Sequence, residues 1–327
     1  MIVVTGGAGF VGSNLVARLV DEGHHVSIND TLGTGQKWRN LARHTFDELI
    51  PPGTLPDFLA RRGDEVRLVY HLGAITSTTE TDRDLLTEIN IRLSQRIWRW
   101  CTDHQVPLVY ASSAATYGDG SSGFLDDDSA EALARLHPLN DYAWSKHEFD
   151  RWAVHEAARG AGAPPVWYGL KLFNVYGPNE YHKGDMQSVV AKAYPSAARG
   201  KPATLFRSHR PDYEDGGQRR DFVYVSDCVH VMMWLAERRP PSGLYNVGTG
   251  RAQSWLELMR ALYGAAGQEP RIDWIDIPEE LRDRYQYFTE ADMTKLRAAG
   301  YERPFLPVED GVREYVERYL AAEDPYR

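Results

Sequence analysis

The sequence predicts an α/β protein, a doubly wound parallel sheet carrying a smaller mixed α/β lobe. Three observations predict it. Apolar runs suited to buried strands recur through the first half, at Ile2 to Val4, His25 to Asn29, Val66 to Tyr70, Leu108 to Ala111 and Val166 to Phe173. Stretches with helical spacing alternate with them. The first run leads into Gly6, Gly9 and Gly12 and then into an amphipathic stretch, Ser13 to Glu22. Strand, glycine turn and helix start make a dinucleotide-binding arrangement of Rossmann type. Glycine permits the tight turn and lets the backbone approach a pyrophosphate at the helix N-terminus. Asp30 closes the second strand about twenty residues on, where an acid reads a ribose hydroxyl.

The elements follow in order. After Asp30 come a Gly/Thr-rich loop, Thr31 to Gln36, and a basic-aromatic patch at Lys37, Trp38 and Arg39. Pro51-Pro52-Gly53 marks a turn, and Leu55 to Arg61 reads as a short helix. The strand at Val66 ends in His71-Leu72-Gly73-Ala74, with a polar loop after it. Ligands of an open parallel sheet sit beyond the carboxyl ends of strands, so this loop is a candidate cofactor wall. Asp84 to His104 carries Leu85, Ile89, Leu93, Ile97 and Trp100 at helical spacing. The strand at Leu108 runs into Ser112 to Gly118, and Tyr142 to Ala158 is helical.

Beyond Gly177-Pro178 the pattern becomes loop-rich. Val189 to Arg199 reads as helix and Ala203 to Phe206 as strand, and a polar excursion spans Arg207 to Gln218. Arg219 to Val225 returns to strand, Cys228 to Glu237 is an apolar helix, and Leu244 to Gly248 follows a loop. Residues 1–176 are therefore expected to form the dinucleotide-binding domain, with about 220–250 returning to it. Residues 177–327 are expected to form mainly the second lobe.

Composition narrows the function classes. The 327 residues are 43% hydrophobic and 25% charged, with a net charge of −9. No basic surplus exists to release counterions, which argues against a nucleic-acid partner. Cys101 and Cys228 read as reduced buried thiols rather than a disulfide framework. Neither CxxC nor HExxH occurs, so no metal site is expected. No apolar stretch reaches about eighteen residues, so no membrane span is expected. A strand beginning at residue 2 leaves no room for a signal peptide, and the expected location is the cytoplasm.

Tyr142 and Lys146 stand four apart, on one face of their helix. A free tyrosine titrates at about 10 and is a poor base at neutral pH. A neighbouring ammonium and the positive ring of an oxidised nicotinamide would both favour the phenolate and lower that value. The spacing thus suits proton removal from an alcohol as hydride leaves its carbon. Ser113, at the end of the preceding strand, is placed to hydrogen-bond the same hydroxyl.

With T-G-G-A-G-F-V-G, S-S-A-A-T-Y-G and Y-A-W-S-K in place, the chain resembles the extended short-chain dehydrogenase/reductases. Further segments narrow the resemblance: H-L-G-A-I-T-S-T-T-E (71–80), F-N-V-Y-G-P-N-E-Y-H-K-G (173–184), R-D-F-V-Y-V (220–225), N-V-G-T-G-R-A (246–252) and R-Y-Q-Y-F-T-E-A-D (284–292). Together these are similar to the ADP-L-glycero-D-manno-heptose 6-epimerases, over residues 1 to about 320.

That resemblance implies interconversion of the D-glycero and L-glycero forms of ADP-β-D-manno-heptose, an ADP-heptose substrate of lipopolysaccharide core synthesis. Hydride would leave C6″ and return to the same carbon on its other face. Tyr142 matches one acid/base of the family, and Lys183, in H-K-G, matches a second on the opposite side of the sugar. Inverting a centre needs proton exchange for two poses of one hydroxyl, and a single base is well placed for only one of them.

The same resemblance implies cofactor contacts at Phe10, Val11, Asp30, Thr31, Lys37, Asn90, Lys146 and Val175, with the wall Leu72, Gly73, Ala74, Ile75 and Thr76. Substrate contacts are implied at Asn174, Asp185, Lys192, Phe206, Arg207, Ser208, His209, Arg220 and Tyr285. Arg220 suits a diphosphate oxygen through its planar fork, and the competing use is a salt bridge to Asp221.

The implied cofactor is NADP and the implied assembly a homopentamer. Asp30 by itself favours NAD, since its charge repels a 2′-phosphate, and Lys37 would offset that repulsion. The chain departs from the family in three places. No lysine stands near Pro51-Pro52, Asp185 replaces a small residue, and the Arg207 to Gln218 excursion is long. Ala114 and Ala115 stand where sugar-nucleotide dehydratases carry an Asp-Glu pair, which disfavours dehydration. A non-catalytic dinucleotide-sensing protein would have no use for Ser113, Tyr142 and Lys146 together.

Overall fold

Apolar strands buried on both faces dictate the architecture. The computed structural model describes residues 1–160, 162–282 and 285–327, so Arg284 of the last sequence motif lies outside the described residues. Strands β1 (Ile2–Thr5), β2 (Val26–Asn29), β3 (Glu48–Ile50), β4 (Leu68–His71), β5 (Leu108–Ser113) and β6 (Trp167–Leu172) come first. The chain then forms β7 (Asn174–Tyr176), β8 (Ala203–Phe206) and β9 (Arg219–Tyr224). It returns with β10 (Gly243–Val247) and adds β11 (Ala252–Ser254) and β12 (Ile272–Ile275). The main sheet has the order β10-β6-β5-β4-β1-β2-β3 and is parallel throughout. Because β1 lies between β2 and β4, the direction of winding reverses beside it and opens a crevice at the strand ends.

Helices cover both faces. α1 (Phe10–Asp21), α2 (Leu55–Arg62), α3 (Arg83–Leu86), α4 (Leu93–Asp103), α5 (Ala130–Ala134) and α6 (Asp141–Ala158) belong to the first half, and α7 (Val189–Ala197), α8 (Val225–Arg238) and α9 (Trp255–Ala265) follow. The pleat sends neighbouring strand residues to opposite sides. Val4 joins Leu15 and Leu19 of α1 and Met232 and Leu235 of α8 in one core. Val3 joins Phe58 of α2, Ile97 and Trp98 of α4 and Phe149 of α6 in the other. A third core, with Val190, Leu205, Phe222, Leu258 and Met259, holds the second lobe. There a three-stranded sheet, β11-β9-β7, lies beside the β12-β8 pair.

Two sequence expectations are revised. β3 is a strand that no apolar run announced, being three residues long at a sheet edge and followed by Pro51. The helix expected over Asp84 to His104 is divided by a π turn at Thr87–Arg92 between α3 and α4. Beyond Gly248, where the sequence predicts no element, lie β11, α9 and β12.

One buried ion pair pins the middle of the sheet to α6. Lys171 Nζ of β6 lies 3.0 Å from Asp150 Oδ2 of α6, and the two side chains are 1% and 0% exposed. Ser112 donates to Asp150 Oδ2 at 2.6 Å, Tyr110 to Oδ1 at 3.1 Å, and Lys171 also donates to Thr116 Oγ1 at 2.7 Å. Removing one partner strands the other charge in a medium that solvates it poorly. Asp150→Ala is expected to lose about 3–5 kcal/mol of stability, read as a lower urea midpoint. An unchanged midpoint would show that the pair is dispensable.

Candidate active site

The glycine turn is built on close backbone approach. Gly6 has φ +70°, and a Cβ there would meet Gly73 N at 2.5 Å. A Cβ on Gly12 would meet Gly6 O at 2.1 Å. The two loops flanking the crevice therefore touch through backbone, which only glycine allows. Asp30 ties the turn to the end of β2, accepting from Ala8 N at 2.8 Å and Thr31 N at 2.7 Å. Lys37 Nζ neutralises it at 2.6 Å and also donates to Thr31 O.

A groove of about 490 Å³ runs over this turn. It is lined by Gly6, Gly9, Phe10, Val11, Gly12, Asp30, Lys37, Leu72, Gly73, Ala74, Thr76 and Val175, all of them expected cofactor contacts. Ser113, Tyr142, Lys146 and Lys183 line the same groove. Lys183 arrives on a separate loop, with its Nζ 5.5 Å from the centre of the Phe10 ring.

Three expected cofactor contacts do not line the groove. The Thr31 side chain is exposed, and its backbone serves Asp30 and Lys37. Asn90 is 1% exposed and stands behind the wall, on the π turn. Its side chain accepts from Ile75 N at 2.8 Å, donates to Ile75 O at 3.0 Å and donates to Ser145 Oγ at 2.9 Å. Asn90 and Ile75 thus brace the wall rather than form its face. Below them, His71 bridges Thr5 Oγ1 at 2.6 Å and Ser94 Oγ at 2.8 Å, and Ser94 donates to Asn90 O. Burial, helped by the charge of Lys146, lowers His71 to about 3, so its ring is neutral.

α6 positions the catalytic candidates. Asn140 caps it by accepting from Ala143 N at 2.8 Å, which places Tyr142 in the first turn and Lys146 one turn later. Burial raises the Tyr142 phenol, a hydrogen bond with Ser113 lowers it, and Asp150 raises it. The sequence expectation of a tyrosine depressed by its lysine is therefore not met. Lys146 Nζ instead donates to Ala111 O at 2.9 Å, and burial brings it down to about 8. The charge of an oxidised nicotinamide remains as a source of phenolate stabilisation. Burial also lowers Lys183, against the opposing charge of Glu180.

A second cavity, of about 820 Å³, opens from the same machinery. Ser113, Tyr142, Asn174, Arg220 and Tyr285 line it, with Gln286 and Thr289. Arg220 donates to the backbone oxygens of Arg219 and Gln286 and lies 5.5 Å from the Tyr285 ring. No bridge to Asp221 forms among the described residues. Asp221 accepts from Thr249, Gly250 and Ala291 instead. A more apolar cavity of about 460 Å³ adjoins at Tyr285, lined by Lys192, Phe206, Trp255 and Ile275. Trp255 and Ile275 were missed in the sequence, because their position depends on β8, β12 and α9 meeting.

The structure does not bring four expected substrate residues to these cavities. Asp185 is exposed and lines none of the three. Arg207 reaches Asp215 and Asp276. Ser208 donates to Arg210 O, and His209 Nδ1 lies 2.8 Å from the Tyr287 hydroxyl. The long excursion folds onto itself, and its side chains satisfy one another. Among the described residues no cluster of His, Cys, Asp or Glu is arranged to hold a metal, and no helix is long and apolar enough to cross a membrane.

The NAD dependent epimerase/dehydratase family matches residues 2–248. The chain belongs to that family. It is 49% identical to ADP-L-glycero-D-manno-heptose-6-epimerase of Nitratidesulfovibrio vulgaris over 330 aligned residues, covering all of both chains. It is 42% identical to the enzyme of that name from Fusobacterium nucleatum, again over the whole of both. Among solved structures, Helicobacter pylori ADP-L-glycero-D-manno-heptose-6-epimerase superposes with a TM-score of 0.77 at 26% identity, covering 97% of this chain and 95% of that one. Thermus thermophilus UDP-glucose 4-epimerase, in complex with NAD, superposes at 0.72 and 28% identity, covering 97% of each.

A nicotinamide dinucleotide is the cofactor of the epimerase/dehydratase family, and the glycine cradle fits it. The backbone is bare where a pyrophosphate must approach, and α1 points its N-terminus there. The brace beneath the cradle is acid-sensitive. The unfolded chain protonates His71 near its ordinary 6.5, whereas the folded chain resists down to about 3. Its contribution to stability is therefore complete above pH 6.5 and is lost as the pH falls from 6.5 toward 3. His71→Gln should show a smaller fall in urea midpoint between pH 7 and pH 5 than the wild type, and equal falls would remove His71 as the cause.

Proposed function

We propose that the protein interconverts ADP-D-glycero-β-D-manno-heptose and ADP-L-glycero-β-D-manno-heptose at C6″, an isomerisation that supplies the lipopolysaccharide core. The observation that carries this reading is the presence of Tyr142 and Lys183 in one groove, delivered by unrelated elements. The full-length relatives named for this reaction support it.

Each residue has a chemical use in this reading. The nicotinamide supplies a hydride acceptor and donor at a single carbon. Tyr142 exchanges the proton of the C6″ oxygen in one pose of the sugar, with Ser113 holding that oxygen. Lys183, its pKa lowered by burial, exchanges it in the other pose. Lys146 adds positive charge beneath the tyrosine. Arg220 meets the diphosphate, Asn174 the sugar, and Phe206, Tyr285 and Trp255 offer faces to the adenine. Lys192 lies at the rim of that aromatic cavity. Ala114 and Ala115 leave no acid/base pair for eliminating water.

The proposed cofactor is NADP, with Lys37 cancelling the charge of Asp30 so that a 2′-phosphate is admitted. A homopentamer in the cytoplasm completes the reading, and native mass spectrometry gives the subunit number.

The deciding experiment incubates the protein with ADP-D-glycero-β-D-manno-heptose and follows the C6″ configuration by proton NMR. An unchanged configuration would sink the assignment. Tyr142→Phe and Lys183→Ala should each fold, keep cofactor and lose epimerisation by roughly 10²–10⁴. Normal turnover in Lys183→Ala would reduce that lysine to a phosphate contact. Lys37→Ala should weaken NADP much more than NAD in calorimetric titration, and equal losses would show that Lys37 does not read the 2′-phosphate.

A further inference from the structure

Proton exchange with a sugar needs Lys183 at a fixed place in the groove, yet it arrives on a loop, Gly177 to Ser188. Glu180 of that loop is 0% exposed. A glutamate is almost never so buried unless its charge is met by donors. Glu180 Oε1 accepts from Ser188 Oγ at 2.7 Å, Tyr315 Oη at 3.1 Å and Gly177 N at 3.4 Å. Its Oε2 accepts from Ser188 N. Backbone N–H groups only donate, so both oxygens accept, as those of a carboxylate do. The two ends of the loop thus converge on one side chain. Ser188 also caps α7, accepting from Ala191 N at 3.2 Å, and Tyr315 is buried in the core of the second lobe. The same carboxylate therefore registers the loop against that lobe.

The backbone of Glu180 reaches Lys183 directly. Its carbonyl accepts from Lys183 N at 3.0 Å, at the start of the turn Tyr181–Met186. Tyr181 secures the turn on its other side, donating to Pro325 O at 2.9 Å and packing against the Tyr326 ring. Charge acts along with geometry. Burial lowers Lys183, and the negative charge of Glu180 opposes it. Burial raises Glu180, and the donors of Ser188 and Gly177, then the charge of Lys183, oppose that. The other titratable groups of the groove offer Lys183 no free counter-charge. Asp30 is paired with Lys37, and burial biases Tyr142, Lys146 and His182 toward their neutral forms. Asp185 is exposed and lies outside the groove.

We propose that Glu180 is a positioning residue for Lys183, closing the loop that carries it and supplying the buried negative charge that acts on its ammonium. The assignment rests on the two-base reading above and adds to it a residue that touches neither sugar nor cofactor. A lysine that takes a proton in one direction must return it in the other. Burial alone would leave Lys183 a free amine, and the carboxylate keeps the protonated form within reach.

The test compares wild type, Glu180→Gln and Glu180→Asp, with Lys183→Ala to identify the Lys183 signal. Carbon-13 spectra of protein labelled at lysine Cε follow the titration of Lys183. Kinetics with ADP-D-glycero-β-D-manno-heptose give kcat and KM. Glu180→Gln keeps the shape and loses the charge, so Lys183 should titrate at lower pH than in the wild type. Its kcat should fall about 10- to 100-fold, the cost of a misplaced group, with KM and cofactor affinity held. Glu180→Asp keeps the charge on a shorter arm, so its Lys183 should titrate above that of Glu180→Gln and its kcat should lie between. An unmoved Lys183 titration in Glu180→Gln overturns the proposal even where kcat falls, because the loss is then structural. Wild-type kcat in that variant overturns it as well. Should Glu180→Gln not fold, wild-type kcat in a folded Glu180→Asp overturns it. If the wild type leaves C6″ unchanged, the proposed function fails instead, and the Lys183 titration then decides the contact alone.

Discussion

Two backbones touch between β1 and β4, and the groove depends on that contact. Gly6 and Gly73 approach so closely that a Cβ on the first would lie 2.5 Å from the nitrogen of the second, far inside van der Waals contact, and Gly12 closes on Gly6 in the same way. Parallel strands that wind in opposite directions from β1 create the crevice, but a crevice alone would be filled by side chains. Bare backbone keeps it open to a pyrophosphate and brings the helix end toward it. The surrounding polar network holds that geometry. Asp30 fixes the turn from one side, and Asn90, His71 and Ser94 fix the facing wall from the other. The π turn in the long helix carries Asn90, as such turns often carry residues at functional sites.

Desolvation sets the electrostatics of the groove. It pushes the Tyr142 phenol up and the Lys146, Lys183 and His182 cations down, so each group is biased toward its neutral form. Charge is held by pairing where it persists. Asp30 has Lys37, and Asp150 of α6 has Lys171. Such a groove gains most from a ligand that brings its own charges, because those charges then meet donors in a medium that screens them weakly. In the proposed reaction burial favours the free amine of Lys183, whereas the Tyr142 phenolate, disfavoured by burial, draws its stabilisation from the positive ring of the oxidised nicotinamide.

The second lobe answers a different requirement. Its cavities meet the dinucleotide groove at Ser113, Tyr142, Leu172 and Phe173, so a sugar nucleotide laid along them would place one end against the reacting groups. Arg220 stands beside Tyr285 and Trp255, where this cavity meets the aromatic one. Elements remote in sequence build that far end, with β8 and β12 pairing in parallel and α9 contributing Trp255. The polar excursion, by contrast, spends its side chains on Asp215, Arg210, Tyr287 and Asp276, and stands outside the cavities.

The sequence by itself determined the parallel sheet, the glycine turn, Asp30 and the Tyr142–Lys146 pair with Ser113, because those features are local. A strand followed by glycines and a helix, or two residues four apart on a helix, carries its geometry in its spacing. Resemblance added Lys183, whose lysine type alone would suit a surface. Tertiary structure decided what spacing does not encode. It put Asn90 behind the wall, bonded to the Ile75 backbone, left Asp185, Arg207, Ser208 and His209 outside the cavities, and brought Trp255 into the aromatic end. It reversed the expected shift of Tyr142, since burial outweighs a lysine whose ammonium turns to Ala111. In each case the deciding quantity is which groups lose water together, and that depends on contacts between distant segments.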